Sequence, residues 1–330
     1  MRATPSLGIT LGDPAGIGPE IVVKTLSRCA ALPPAAYIIF GSRRVLEDEQ
    51  KALGLDLALK PLDPGATPPG PGLYFREAGP AGPVPAKGRP SAEGGRISFT
   101  AFEEAVGEAG RGGLSAVVTG PISKQAWEMA GLAWRGHTEY LETLYPRAIM
   151  AFWSNPLKVA LLSHHLPLRE ALTRVRAGNL EDFFSVLGAS LGRLGVDRFR
   201  FLVAGLNPHA GEGGLMGHEE EEIALAVRRA RAAGLDIEGP FPPDTVFRRA
   251  LGRERTMVVA LYHDQGLIPF KLVAFESGVN VTLGLPFVRT SPDHGTAYDI
   301  AARRVADPGS FLQALRLAVE LAEALLHLRP

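Results

Sequence analysis

The chain of 330 residues has one cysteine, Cys29, only seven lysines, and no net charge, with 35 acidic and 35 basic residues. A lone cysteine forms no internal disulfide. That excludes a disulfide scaffold and fits a reducing compartment, with Cys29 expected as a small buried helix residue. Balanced charge gives no global field, so neither nucleic acid nor a membrane surface is an expected partner. No apolar run approaches the roughly 20 residues that span a bilayer, and the first six residues lead into a strand without the apolar core of a signal peptide. The expectation is a soluble cytoplasmic protein. Arginine fills the other 28 basic positions, which reflects base composition or heat tolerance rather than chemistry. Also missing are the Walker loop, the dinucleotide glycine spacing and the short zinc spacing His-Glu-x-x-His.

What is present is ordinary globular composition, 46% hydrophobic and 21% charged, in a chain long enough to split into two cores. Three apolar runs stand out. Met257-Val-Val-Ala-Leu-Tyr-His-Asp-Gln-Gly266 ends in His263 and Asp264, Val159-Ala-Leu-Leu-Ser-His-His165 ends in histidine, and Phe201-Leu-Val-Ala-Gly-Leu-Asn-Pro-His209 reaches histidine after a short turn. Such runs are the mark of buried parallel strands. If the three lie parallel in one sheet, their histidines arrive at one carboxyl edge, where open α/β sheets bind ligands.

Other segments alternate in the same way, so the class is α/β. Leu7–Leu11 reads as a strand. Gly12-Asp-Pro-Ala-Gly-Ile-Gly-Pro-Glu20 turns from it into a helix reaching about Ala31, with Pro19 at its first position. Asp13 there would repel a phosphate. Residues 61–95 are dense in proline and glycine and read as irregular, with one edge strand near Leu73–Phe75 and no chemistry. Helices are expected over Ser98–Arg111 and Leu180–Leu194. Thr138 reads as the N-cap of another helix, with His137 just before it. Ser123 and Lys124 read as a helix cap and a solvated lysine, with anion binding the alternative. Glu219–Glu222 suit a helix start and read as a solvated face. Pro240–Pro243 read as a stiff connection.

Of eight histidines, His218 and His327 read as inert, while His137, His164, His165, His209, His263 and His294 fall at element ends. Strand side chains alternate in direction, so only one of His164 and His165 should face a site. Three imidazoles with open positions describe a catalytic divalent metal rather than a closed structural one. Asp244 and Asp264 are candidates to orient the ligands.

Taken together, Gly12–Glu20, Thr119-Gly-Pro-Ile-Ser-Lys124, Gly136-His-Thr-Glu139, His165-Leu-Pro-Leu168, Gly205–Gly214, Tyr262–Gly266 and Asn280–Ser291 resemble the 4-hydroxythreonine-4-phosphate dehydrogenases of vitamin B6 biosynthesis, in order and over essentially the whole chain. The resemblance implies an isocitrate/isopropylmalate dehydrogenase-like fold of two α/β/α domains, 1–135 with 276–330 and 136–275. It implies a homodimer whose active site lies in the cleft and is completed by the second subunit. It places the metal, zinc, magnesium or cobalt, on His165, His209 and His263. Substrate contacts fall on His137, Thr138, Lys271, Asn280 and Arg289, and Lys271, Asp244 and Asp264 serve the catalysis. Gly295, Thr296 and Asp299 look like the nucleotide loop of the wider fold family, and Asp299 favours NAD over NADP. The implied reaction oxidises the C3 hydroxyl of a small phosphorylated amino-hydroxy acid, 4-phosphohydroxy-L-threonine, to a β-keto acid that decarboxylates to 3-amino-2-oxopropyl phosphate. Alternatives are a phosphorylated four-carbon sugar acid or a cis-dihydrodiol as substrate, or, in another class, a phosphate acyltransferase.

Overall fold

Apolar, largely β-branched runs form strands buried on both faces, and helices follow them in alternation, as the α/β class requires. The computed structural model describes residues 4–80, 82–196 and 198–327. The chain divides into two units, Met1–Pro146 with Pro286–Pro330, and Arg147–Leu285.

The first unit opens with β1 (Ser6–Thr10), α1 (Gly18–Leu26), β2 (Ala36–Gly41), α2 (Arg43–Leu53), β3 (Lys60–Pro61), β4 (Gly72–Glu77), α3 (Ala92–Gly110), β5 (Ala116–Thr119), α4 (Lys124–Met129) and α5 (His137–Leu144). The second unit contains β6 (Ile149–Trp153), β7 (Lys158–Leu161), α6 (Leu168–Thr173), α7 (Ala177–Arg193), β8 (Arg200–Ala204), α8 (Glu219–Ala232), β9 (Ile237–Phe241), α9 (Pro243–Ala250), β10 (Thr256–Ala260), α10 (His263–Ala274) and β11 (Val279–Leu283). The chain then returns to the first unit with β12 (Val288–Pro292), α11 (Tyr298–Ala301) and α12 (Gly309–His327).

In the first unit the strand order is β3-β4-β2-β1-β5-β12, and every neighbouring pair is parallel. In the second unit the order is β11-β6-β7-β10-β8-β9. There β6 pairs antiparallel with both β11 and β7, while β7, β10, β8 and β9 run parallel. Its core joins Val159, Leu161, Leu202, Val258 and Ala260 of the strands to Val246, Leu267 and Phe270 of the helices. Gly266 permits that packing, because a Cβ there would sit 2.6 Å from Leu161 and 2.9 Å from Val159.

Several elements differ from expectation. The segment Leu73–Phe75 belongs to a strand paired on both sides, by β2 and β3, and is not at the edge. α3 starts at Ala92, inside the stretch read as irregular, with the Ser91 side chain accepting from the Gly94 amide at 3.0 Å. Its Gly94-Gly95 pair hid it. Gly95 is required where α3 meets α4, since a Cβ would lie 2.1 Å from the Ala126 carbonyl oxygen. α1 stops at Leu26, with Pro19 at its second position, and a short 3-10 turn covers Cys29–Ala31. The side chain of Cys29 lies outside the described residues, so its expected burial does too. Pro240 lies within β9 rather than in a connection, while Pro243 opens α9. The helix expected over Leu180–Leu194 is α7, which begins three residues earlier at Ala177, and an unexpected short helix, α6, precedes it. Among the described residues no helix is long and apolar enough to cross a membrane.

Candidate active site

In the second unit, the three histidine-bearing strands are immediate neighbours in the order β7-β10-β8 and all run parallel. Their ends are level, with Ala260 paired to Leu161 and Val259 paired to both Ala160 and Val203. Side chains just beyond these ends therefore reach one edge of the sheet. His263 is the first residue of α10 rather than the last of its strand, because the chain turns into the helix at Tyr262.

The rings of His165 and His263 have centroids 5.8 Å apart, and the His164 ring lies 5.2 Å from that of His165. His263 Nδ1 is 2.7 Å from Asp264 Oδ1, the contact by which a carboxylate fixes an imidazole's orientation. His209 sits in the tight 208–214 loop after β8, where His209, Ala210, Gly211, Glu212 and Gly213 all have positive φ between 44° and 74°. Left-handed backbone in three non-glycine residues is costly and persists only where surrounding bonds enforce it. His209 and Asp244 line a cavity of ≈ 400 Å³ with Leu206, Pro208 and Pro243. Thus His165 pairs with His263, and His209 with the Asp244 cavity. Among the described residues no three His, Cys, Asp or Glu side chains are grouped closely enough to hold an ion. The donors fit a divalent metal in kind and in strand placement, without closing a shell in the single chain. Lys271 follows two turns along α10 from His263, with its ammonium 5.8 Å from the Phe275 ring centroid. Asn280 lies on β11, opposite Phe152.

In the first unit, Arg289 on β12 is buried and donates through one terminal nitrogen to Thr119 Oγ1 at 2.7 Å. The same nitrogen stands 3.2 Å from His137 Nδ1. An arginine only donates, so His137 Nδ1 accepts and the ring proton is assigned to Nε2. Nε2 is shut off from solvent without a hydrogen-bond partner, although part of the residue remains accessible. Burial, and then the neighbouring Arg289 charge, hold the His137 pKa well below 6.5. Burial pushes Arg289 down to about 10, so it stays cationic at neutral pH. The imidazole is wedged between Phe102, at 4.4 Å, and Trp127, at 5.6 Å. His137 and Thr138 are the first two residues of α5, and Gly136, not Thr138, is its cap. Lys124 opens α4 behind Ser123, whose hydroxyl accepts from the Ala126 amide, as the capping reading expects.

Of the expected nucleotide residues, Gly295 and Thr296 lie on a loop and Asp299 in α11 just after it, and this segment is fastened to the Gly12–Gly18 turn. The Thr296 carbonyl accepts from the Ile17 amide at 3.0 Å, and the Tyr298 hydroxyl donates to buried Asp13 at 2.7 Å. Burial raises the Asp13 carboxyl pKa, against the Tyr298 and Ala15 hydrogen bonds and the Lys87 charge. Gly295 has open space above it and Asp299 is exposed. Lys87, from the stretch to which no chemistry was attached, donates to the Gly16 carbonyl at 2.9 Å and pairs with Glu49.

Sequence reasoning missed Glu220. It is buried, and its carboxylate accepts from the Leu206 amide at 2.9 Å, the Asn207 amide at 2.7 Å and the Asn207 side chain at 2.9 Å. The solvated-face reading of the glutamate run fails there. A helical signal was available, because position 220 is in phase with buried Ile223, Val227 and Ala230.

A family model described as pyridoxal phosphate biosynthetic protein PdxA matches residues 34–318. A 4-hydroxythreonine-4-phosphate dehydrogenase of Desulforapulum autotrophicum is 41% identical over 327 residues, 95% of this chain and 94% of the relative. A D-threonate 4-phosphate dehydrogenase of Salmonella typhimurium is also 41% identical, over 97% of this chain and 99% of the relative. The crystal structure of a 4-hydroxythreonine-4-phosphate dehydrogenase from Klebsiella pneumoniae superposes with a TM-score of 0.84 at 37% identity, covering 97% of this chain and 100% of that one.

Proposed function

The chain belongs to the PdxA family of pyridoxal phosphate biosynthetic proteins, and from that premise we propose that it is an NAD-dependent, divalent-metal-dependent dehydrogenase of 4-phosphohydroxy-L-threonine, working in the cytoplasm. C3 loses its hydride to NAD and the C3 hydroxyl loses its proton to a base, giving NADH and a β-keto acid. Loss of carbon dioxide and reprotonation then give 3-amino-2-oxopropyl phosphate. The observation that carries this reading is the set of three neighbouring, level strands each followed by an imidazole.

When bound, the nicotinamide supplies the hydride acceptor and the metal supplies a Lewis acid for the substrate hydroxyl. His165, His209 and His263 are the residues that would hold the metal, with Asp264 orienting His263 and Asp244 beside His209. Arg289 binds an anionic group of the substrate, and its planar fork suits a carboxylate or a phosphate. His137 stays neutral and offers its Nε2 proton to a substrate oxygen, so it orients without adding charge. Thr138 and Asn280 contribute further polar contacts. Lys271 serves as a point charge for the second anionic group, or as the base. Gly295, Thr296 and Asp299 receive the nucleotide.

The active unit is a homodimer, which completes the ligand set that one chain leaves open. Exposed Ile268 and Leu272 on α10 and Phe275 at its C-cap form a stripe, and Leu168 and Leu172 form another on α6, all in the unit that carries the imidazoles. Apolar surface arranged this way is characteristic of a protein interface. A His209→Ala variant tests the assignment. Bound metal and turnover should both collapse, and full loading at normal rate would remove His209 from the site. One other substrate is favoured by a particular observation. The Salmonella relative named for D-threonate 4-phosphate is as similar as the one named for the amino acid. The two substrates differ at C2, an amine in one and a hydroxyl in the other, so a side-by-side rate comparison separates them.

A further inference from the structure

Three buried side chains that carry no assigned role join the three imidazole-bearing strand ends into one chain of hydrogen bonds. Beyond β7, the Ser163 hydroxyl donates to the Leu261 carbonyl at 2.8 Å. Leu261 follows β10, and its amide donates to the Gln265 side-chain oxygen at 2.7 Å. The Gln265 side-chain nitrogen donates to the Gly205 carbonyl, just past β8, at 2.8 Å. From there Leu206 and Asn207 donate their amides to Glu220. Ser163, Gln265 and Glu220 are all buried. The backbone pairing runs one residue beyond the strands, with the Leu162 amide donating to the Ala260 carbonyl at 2.8 Å and the Gly205 amide to the Phe241 carbonyl at 2.7 Å. Past those points, the bonds of these side chains tie together the segments that deliver His165, His263 and His209.

We infer that Gln265, with Ser163 and Glu220, is a positioning residue that fixes the three imidazole-bearing segments of each subunit relative to one another, and thereby the affinity of the divalent-metal site that two subunits complete. Gln265 occupies the central position because its amide both accepts and donates. It satisfies a backbone N–H after one strand and a backbone carbonyl after the next. A methionine of similar length makes neither bond. A glutamate in its ionised form keeps only the acceptor. Glu220 acts at the outer end by pinning the left-handed loop that bears His209. It also touches the middle of that loop, where a Cβ on Gly211 would lie 2.7 Å from the Glu220 carboxylate. The inference rests on the three-imidazole reading above.

The test is a cobalt(II) titration of full-length protein against a competing chelator, recorded with the cobalt absorption spectrum. Wild type, Gln265→Met, the milder Ser163→Ala, and Leu187→Ala are compared. Leu187 is buried in α7, so its truncation lowers stability without touching the strand ends. Gln265→Met should weaken cobalt binding by about 10- to 100-fold, the range for groups that support metal ligands, and shift the absorption bands. Ser163→Ala should show a smaller change of the same kind. Leu187→Ala should lose thermal stability while keeping wild-type affinity and spectrum. If Gln265→Met does not fold, Ser163→Ala alone decides. If wild type binds cobalt and the folded staple variants match its affinity and spectrum, the positioning role is overturned while the metal reading stands. Affinity lost equally in Leu187→Ala also overturns it, since a general stability effect then suffices. Wild type that binds no cobalt overturns the three-imidazole reading itself, and with it this inference.

Discussion

At the scale of single residues, Arg289 and His137 make one polar unit in which burial, and then the neighbouring cation, keeps an imidazole neutral. A histidine whose folded pKa lies below its unfolded value binds fewer protons in the folded state. The stability it permits is fully present above about pH 6.5 and declines as pH falls through that unfolded value toward the folded one. Urea unfolding at pH 7.5 and at pH 5.5 should show wild type losing stability on acidification, with His137→Gln losing distinctly less. Equal slopes would mean that His137 is not held neutral. Arg289→Met removes the donor to Thr119 and the charge offered to substrate, and should lower kcat/KM by at least about 100-fold, the scale of a lost charged contact in a dry site. These partners were legible as residue types but not as contacts. Arg289 and His137 are 152 positions apart in the chain, and only the neighbouring of β12 and β5 brings Arg289 to Thr119. Gln265 shows the reverse limit. It lay inside a motif already singled out, yet nothing local says that its amide reaches Gly205, 60 positions away.

At the scale of elements, the strands were the legible part, because burial on both faces leaves an apolar run that few other structures produce. β7, β8 and β10 lie within a residue or two of where the pattern put them. The helices were harder wherever packing overrode propensity. α3 carries two glycines in its first turn, of which Gly95 is required because α4 presses against it, and a single-sequence reading scores those glycines as loop. In α8, four successive glutamates share a helix start, but the helical period sends one of them inward. Glu220→Leu leaves the Leu206 and Asn207 amides without their carboxylate, and should lower the unfolding free energy by about 3 kcal/mol, the size expected for charged hydrogen bonds lost in a buried position. A drop under about 0.5 kcal/mol would show that the loop finds other acceptors.

At the scale of the whole molecule, the second unit exposes Ile268, Leu272 and Phe275 at 68%, 85% and 75% of their surface, a spacing of one helical face. Large apolar side chains so arranged call for a covering surface, and the proposed homodimer supplies it. Leu272→Glu should shift the sedimentation profile from dimer toward monomer at micromolar concentration and lower metal-dependent turnover with it. A variant that stays dimeric would put the interface elsewhere. The family was legible from motifs because they occur in order along nearly the full length, whereas the placing of metal ligands into one set was not, since that depends on what surrounds a single chain. The proposed activity is reduction of NAD at the expense of a phosphorylated hydroxy acid with the help of a divalent metal. Its most direct test is NADH absorbance with 4-phosphohydroxythreonine and, in parallel, D-threonate 4-phosphate, each with and without chelator. The account predicts NADH formation that chelation abolishes and added metal restores, faster with the amino acid. NADH formed from neither substrate, or formed undiminished after chelation, would contradict it.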